Sequence, residues 1–157
     1  MTVFSRRTRH KLHGGSITES EWTVMAIHLR TSGLPHVVLD AKKHDKTFYD
    51  VLFVRFPRLR RATEVLTHIN ASAAHYFDLY VRPDASMQSQ ILLDDLVMQR
   101  LISNYGRFDV EIDNDMIYIF KQNSPHSARD LKEMHEEILW LAEKIEYRTA
   151  AAVPALV

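Results

Sequence analysis

Apolar and polar residues alternate along much of this chain. The stretch RFDVEIDNDMIYIFK at 107–121 shows the pattern most plainly, with Asp109, Glu111, Asp113 and Asp115 on every second position. Alternation with period two predicts strands. Placing Asn114-Asp115 at a two-residue turn sets Ile112 against Ile117 and Val110 against Ile119. Both turn residues tolerate the left-handed backbone angles of a type I′ hairpin. Phe108, Val110, Ile112, Ile117 and Ile119 then share one buried face. Asp109, Glu111, Met116, Tyr118 and Phe120 fall on the other, where the acids are expected to form a solvated edge.

The same reading predicts further strands at 2–9, in EWTVMAIHLRT from Glu21, in HVVLD from His36 and in HYFDLYV from His75. Both faces of the EWTVMAIHLRT segment are largely apolar, which suits a central strand. Tyr76, Asp78 and Tyr80 point one way in the HYFDLYV strand, and Phe77, Leu79 and Val81 the other. QILL at 90–93 reads as one more short strand. Gly14-Gly15 marks a loop, and Pro57 bounds an ambiguous segment at 48–69 that passes from aromatic and β-branched residues to a weak helical pattern.

Two helices are expected. One starts at Asp94, a good N-cap, and runs to about Asn104, with Gly106 at its C-terminal end. The other is long, opens at a Ser127–Asp130 capping box, and repeats Leu131, Met134, Ile138, Leu141, Ala142 and Ile145 at helical spacing. Strands and helices do not alternate regularly. The fold class is therefore α+β, a mainly antiparallel sheet with two helices, the longer one C-terminal, packed on one face. Residues 1–150 form a single domain and 151–157 a flexible tail.

Composition narrows the chemistry. The chain has 157 residues, 46% apolar and 25% charged, enough for one domain with a proper core. Without cysteine there are no disulfides, thiol nucleophiles or Cys-type metal sites. No apolar run approaches the roughly 18 residues of a membrane span. The N-terminal MTVFSRRTRHKLHGG has no apolar core behind its charges, so it predicts no secretory signal. A cytoplasmic location follows, including the inner face of the membrane. Net charge is zero, yet residues 1–70 hold 12 Lys/Arg against 6 acids and residues 71–157 hold 8 against 14. Such opposed halves suit attraction within one fold or between two copies.

The acidic ladder fails as a Ca²⁺ loop. With Asp109 at position 1, the required glycine is Asn114 and the required final glutamate is Phe120. Asp109 and Glu111 would lie roughly 7 Å apart on one strand face, within the range of acid–base carboxylate pairs. They carry the reading of a hydrolase-type enzyme. The nine histidines show no HExxH or helical His-x₃-His spacing, and no glycine-rich phosphate loop is present. No catalytic residue, metal or cofactor is assigned. In RFPRLRR, Arg55, Arg58, Arg60 and Arg61 are interleaved with Phe56 and Leu59. Arginine with apolar and aromatic neighbours suits an anionic lipid surface or nucleic acid.

LPHVVLD at 34–40, HYFDLYVRPD at 75–84, the QILLDD junction, LVMQRLI at 96–102, FDVEIDNDMIYIF at 108–120 and the final helix occur here in order. Together they cover roughly residues 20–147. In this the chain resembles a family of uncharacterised bacterial proteins that pair one or two membrane segments with a soluble α+β domain of unknown function. The resemblance implies membrane association and carries over no catalytic residue. INASAA replaces the family's acidic-glycine turn before the Tyr-Phe strand, and no membrane segment is present. The expected function is a non-enzymatic binding or interaction domain, associated with a membrane through a larger context. Its partner is expected to be a protein or a second copy, with Met116, Tyr118 and Phe120 as the contact face if exposed. Arg55, Arg58, Arg60 and Arg61 offer an alternative surface for anionic lipid or nucleic acid.

Overall fold

The computed structural model describes residues 1–11, 17–44, 58–104, 106–122 and 127–152, with side chains left aside at 6–11, 17–20 and 152. It is an α+β fold. In chain order the elements are β1 (Thr2–Lys11), β2 (Ile17–His28), β3 (Leu34–Ala41), β4 (Arg60–Arg61), α1 (Thr63–Ile69), α2 (Ala73–Tyr76) and β5 (Phe77–Val81). A 3₁₀ turn at Pro83–Ala85 leads to α3 (Ser86–Leu92), α4 (Asp95–Ser103), β6 (Asp109–Asn114), β7 (Met116–Gln122) and α5 (Ala128–Ala152). The seven strands form one sheet in the order β1-β2-β7-β6-β3-β5-β4. Every neighbouring pair is antiparallel.

The β6–β7 hairpin has the register its sequence predicts: Ile112 opposite Ile117, Val110 opposite Ile119. Asn114 takes φ +56°, the only positive φ among the described non-glycine residues. The turn therefore has left-handed backbone at its first central position only, unlike a type I′ turn, which needs it at both. The Asn114 side chain also accepts from the Gly33 N–H (2.9 Å).

This hairpin does not sit at a sheet edge. It inserts between β2 and β3, with β7 paired to β2 and β6 to β3. That placement overturns the expected solvated edge at Asp109 and Glu111, both of which are buried. Asp113 is exposed and Asp115 half-exposed, so the ladder splits into a buried and a solvent-facing half.

The main core fills one face of the sheet. Met25, Val37, Leu39, Phe77, Leu79, Val110, Ile112, Ile117 and Ile119 meet Leu66, Val97, Leu101, Met134, Ile138 and Ile145 from the helices. Leu34 joins this core although Val38, of the same strand parity, faces the other way. A register shift between Leu34 and Val37 absorbs the change of phase. The shift coincides with Pro35, which has no N–H to give to a ladder.

Five α-helices stand among the described residues, where the sequence pattern predicted two. Three of the five are short: α1 and α3 span seven residues and α2 spans four. Gln90, Ile91 and Leu92 of the predicted QILL strand belong to α3, and Leu93 is its C-cap. Ala85, Ser89 and Leu92 point inward at helical spacing, and the Ser89 hydroxyl donates to the Ala85 carbonyl at 2.8 Å. Three consecutive apolar residues cannot by themselves distinguish the two states, and packing decided this one.

The two expected helices form with their expected caps. Asp94 accepts from the Val97 N–H (3.0 Å) and Ser127 Oγ accepts from the Asp130 N–H (3.0 Å). Gly106 has φ +56°, and a Cβ there would meet the Tyr76 carbonyl oxygen at 3.4 Å. The loop at Gly14-Gly15, the boundary at Pro57 and residues 153–157 of the expected tail lie outside the described residues, whereas Ala151 and Ala152 of that tail belong to α5.

Candidate functional site

The face of the sheet away from the helices carries two ordered rows of side chains. Strand register brings Val24 beside Phe120, Phe120 beside Asp109, and Asp40 beside Asp78. The β3–β6 pairing, continued one residue past Leu39–Val110, sets Asp109 next to Asp40. The second row runs Ala26, Tyr118, Glu111, Val38, Tyr80, Arg61. Three aspartates thus lie abreast on three adjacent strands, each at 1% exposure or less. Like charges side by side oppose sheet formation unless other groups hold them.

Several groups hold Asp78 and Asp109. Asp109 Oδ1 accepts from the Ala41 N–H (2.7 Å), and His44 Nδ1 lies 3.0 Å from Oδ2. Arg61 Nη2 donates to Asp78 Oδ1 (2.6 Å), and Lys42 Nζ is 3.6 Å from the same oxygen. His36 Nε2 lies 2.8 Å from Glu111 Oε1. The Trp22 ring meets His44 edge to face at a centroid distance of 5.6 Å. The hydrogen bond to Asp78 and its charge hold the Arg61 guanidinium protonated well beyond the ordinary range. Burial first, and then the charges of Glu111, Asp113 and Asp115, push the Tyr118 hydroxyl above its ordinary ionisation range.

Phe120 is buried in a second small core with Trp22, Val24, Val38 and Leu59, and Tyr118 packs against it. Tyr118 and Met116 are half-buried. Of the three, Phe120 is thus enclosed by the chain's own side chains, while Met116 and Tyr118 keep partial exposure. The carboxylates proposed for acid–base chemistry, Asp109 and Glu111, are closed off with separate histidines. Among the described residues, no group of three or more His, Asp or Glu is arranged to hold a metal ion.

The arginine cluster is divided by the pleat of the edge strand. Arg61 pairs with Tyr80 in register and turns to the acidic face, whereas Arg60 pairs with Val81 and turns the other way. Arg58 and Arg60 then line a shallow pocket of about 320 Å³ with Arg82, Pro83 and Asp84. Arg55 lies outside the described residues.

Arg82 is the member that the spacing of RFPRLRR did not reveal, because β5 brings it from 21 residues beyond Arg61. The only sequence signal for it is the Arg-Pro-Asp turn at the end of a strand. The Arg82 guanidinium donates two hydrogen bonds to the Asp84 carboxylate, Nε–Oδ1 at 3.0 Å and Nη2 to Oδ2. That pairing raises the pKa of Arg82 and lowers that of Asp84. The pocket is thus lined by three arginines and one aspartate at an exposed sheet edge, with Arg60 Nη1 donating to the Leu59 carbonyl at 3.1 Å.

No family model, curated protein or solved structure matches this chain. No helix among the described residues is long and apolar enough to cross a membrane.

Proposed function

We propose that this chain is a non-enzymatic binding domain that works beside an anionic membrane surface, with Arg58, Arg60 and Arg82 receiving phosphate-bearing headgroups. The observation that carries the reading is the convergence of these three arginines, from two separate parts of the sequence, on one open pocket. Guanidinium groups match phosphate oxygens in planar, two-pronged hydrogen bonds. Asp84 takes the Nε–Nη2 edge of Arg82 and balances its charge, so Arg58 and Arg60 supply the net positive charge and Arg82 offers its remaining Nη1 edge. The resemblance to membrane-associated bacterial proteins points the same way.

Vesicle flotation tests this. The protein is expected to float with phosphatidylcholine vesicles containing phosphatidylglycerol at low salt and to be released as salt screens the attraction. Each neutral replacement among Arg58, Arg60 and Arg82 should weaken binding by roughly five-fold. Failure to float at low salt removes the reading. Tighter binding to a single-stranded oligonucleotide than to the vesicles would transfer the pocket to nucleic acid.

A further inference from the structure

A second opening lies at the far end of α3. It is a groove of about 520 Å³, lined in part by Leu34 and Pro35 from the start of β3, Ile91 and Leu92 from α3, and Thr149 and Ala150 from α5. Its size lies within the range of small-ligand sites; Leu34, Pro35, Ile91, Leu92 and Ala150 give it apolar walls, and Thr31, Ser32, Gln88 and Thr149 a polar margin. Its fixed polar contact is a hydroxyl pair, Thr31 with Thr149 at 3.1 Å.

The arginine pocket and this groove are joined by a single short element. Pro83 and Asp84 line the pocket just before α3 begins, and Ile91 and Leu92 line the groove where α3 ends. Seven helical residues span about 10 Å. Met87 and Ile91, one turn apart and 76% and 50% exposed, leave an apolar stripe along the helix. A basic pocket, an apolar stripe and an apolar groove in sequence match the chemistry of one molecule: an anionic amphiphile with its phosphate at one end and a hydrocarbon chain at the other.

We infer that the groove is an acyl-chain site, so that the domain takes hold of a single anionic phospholipid, headgroup at Arg58, Arg60 and Arg82 and chain along Ile91 and Leu34. This rests on the proposed headgroup reading of the arginine pocket. Calorimetry of the whole chain with glycerol phosphate, and with lysophosphatidylglycerol below its micelle concentration, tests it. The lysolipid should bind at least ten-fold more tightly, the gain from removing a few methylenes from water. Ile91→Glu and the milder Ile91→Gln should abolish that advantage and leave glycerol phosphate binding unchanged. Their circular dichroism should match the parent, since Ile91 is half-exposed.

Arg58→Glu combined with Arg82→Glu should lose both ligands. Equal affinity for the two ligands, or an undiminished advantage in both Ile91 variants, overturns the acyl-chain site while the headgroup reading stands. Indifference of both ligands to the double arginine variant overturns the headgroup reading, and the acyl-chain proposal with it.

Discussion

Along β5 the two faces of the sheet can be compared residue by residue. Phe77, Leu79 and Val81 enter the helix-covered core, while Asp78 and Tyr80, one step out of phase, face the acidic rows. Both sets are largely buried, yet the physics differs. On the helix side, burial removes hydrocarbon from water, a non-directional gain that tolerates repacking. On the other side, burial takes charge out of water, and Asp78, Asp109 and Glu111 each depend on a named partner at a fixed distance. The helix side is therefore expected to supply most of the stability, and the acidic side to specify one arrangement of β3, β5 and β6.

The largest effect should come from the apolar face. Phe77→Ala, at a fully buried position, is expected to cost about 3–5 kcal/mol in chemical denaturation. A loss no larger than that of the aspartate variants below would break the comparison.

Next comes Asp109→Ala, which strands the buried Ala41 N–H and should cost about 1–3 kcal/mol. Asp109→Asn keeps an acceptor for that N–H and should cost less. Equal losses would mean that charge, and not the hydrogen bond, matters at this position.

Glu137 on α5 is the buried acid of the helix layer, and it sharpens the contrast. Burial raises its pKa, although Arg100 (3.0 Å) and Asn104 (2.9 Å) both donate to Oε2 and pull the other way. The folded state therefore holds this proton more tightly than the unfolded chain does. Its contribution favours folding at pH below the ordinary glutamate value and is lost as pH rises through the raised one. Glu137→Gln should be neutral or stabilising by up to about 1 kcal/mol at pH 7. Denaturation curves at stepped pH should show that difference shrinking towards acid.

The smallest effect at neutral pH belongs to Tyr118→Phe, expected within about 0.5 kcal/mol. Because the Tyr118 hydroxyl is raised above its ordinary 10.0, its neutral form favours folding below that value and the contribution is lost as pH climbs through the raised value. The phenylalanine variant should therefore gain on the parent in strong alkali. Glu111→Gln should move the ultraviolet titration of Tyr118 back towards the ordinary range. An unmoved titration would show that the Glu111 charge does not contribute, leaving burial with Asp113 and Asp115 to set it.

Much of the fold is legible in the chain because its signals are local. The hairpin register follows from the alternation between Phe108 and Phe120, and the helix starts at Asp94 and Ser127 follow from their side-chain oxygens. The short helices were not legible. A seven-residue element such as α3 has too few turns for its periodicity to stand out, and its state depends on what Ser89 and Leu92 meet. Two of the pocket's three arginines, Arg58 and Arg60, were legible in RFPRLRR. Arg82 was not, because only the pairing of β4 with β5 brings it there, and the same pairing turns Arg61 away.

The sequence by itself determined which residues alternate, where the chain turns and where the two longer helices begin. Those properties depend on neighbours within a few residues, through backbone preference and side-chain caps. Tertiary structure alone decided that the β6–β7 hairpin lies between β2 and β3, so that Asp109 and Glu111 are enclosed. It also decided that three arginines from two segments share one opening. Pairing between distant strands sets both outcomes, and such pairing leaves no periodic trace in a single chain.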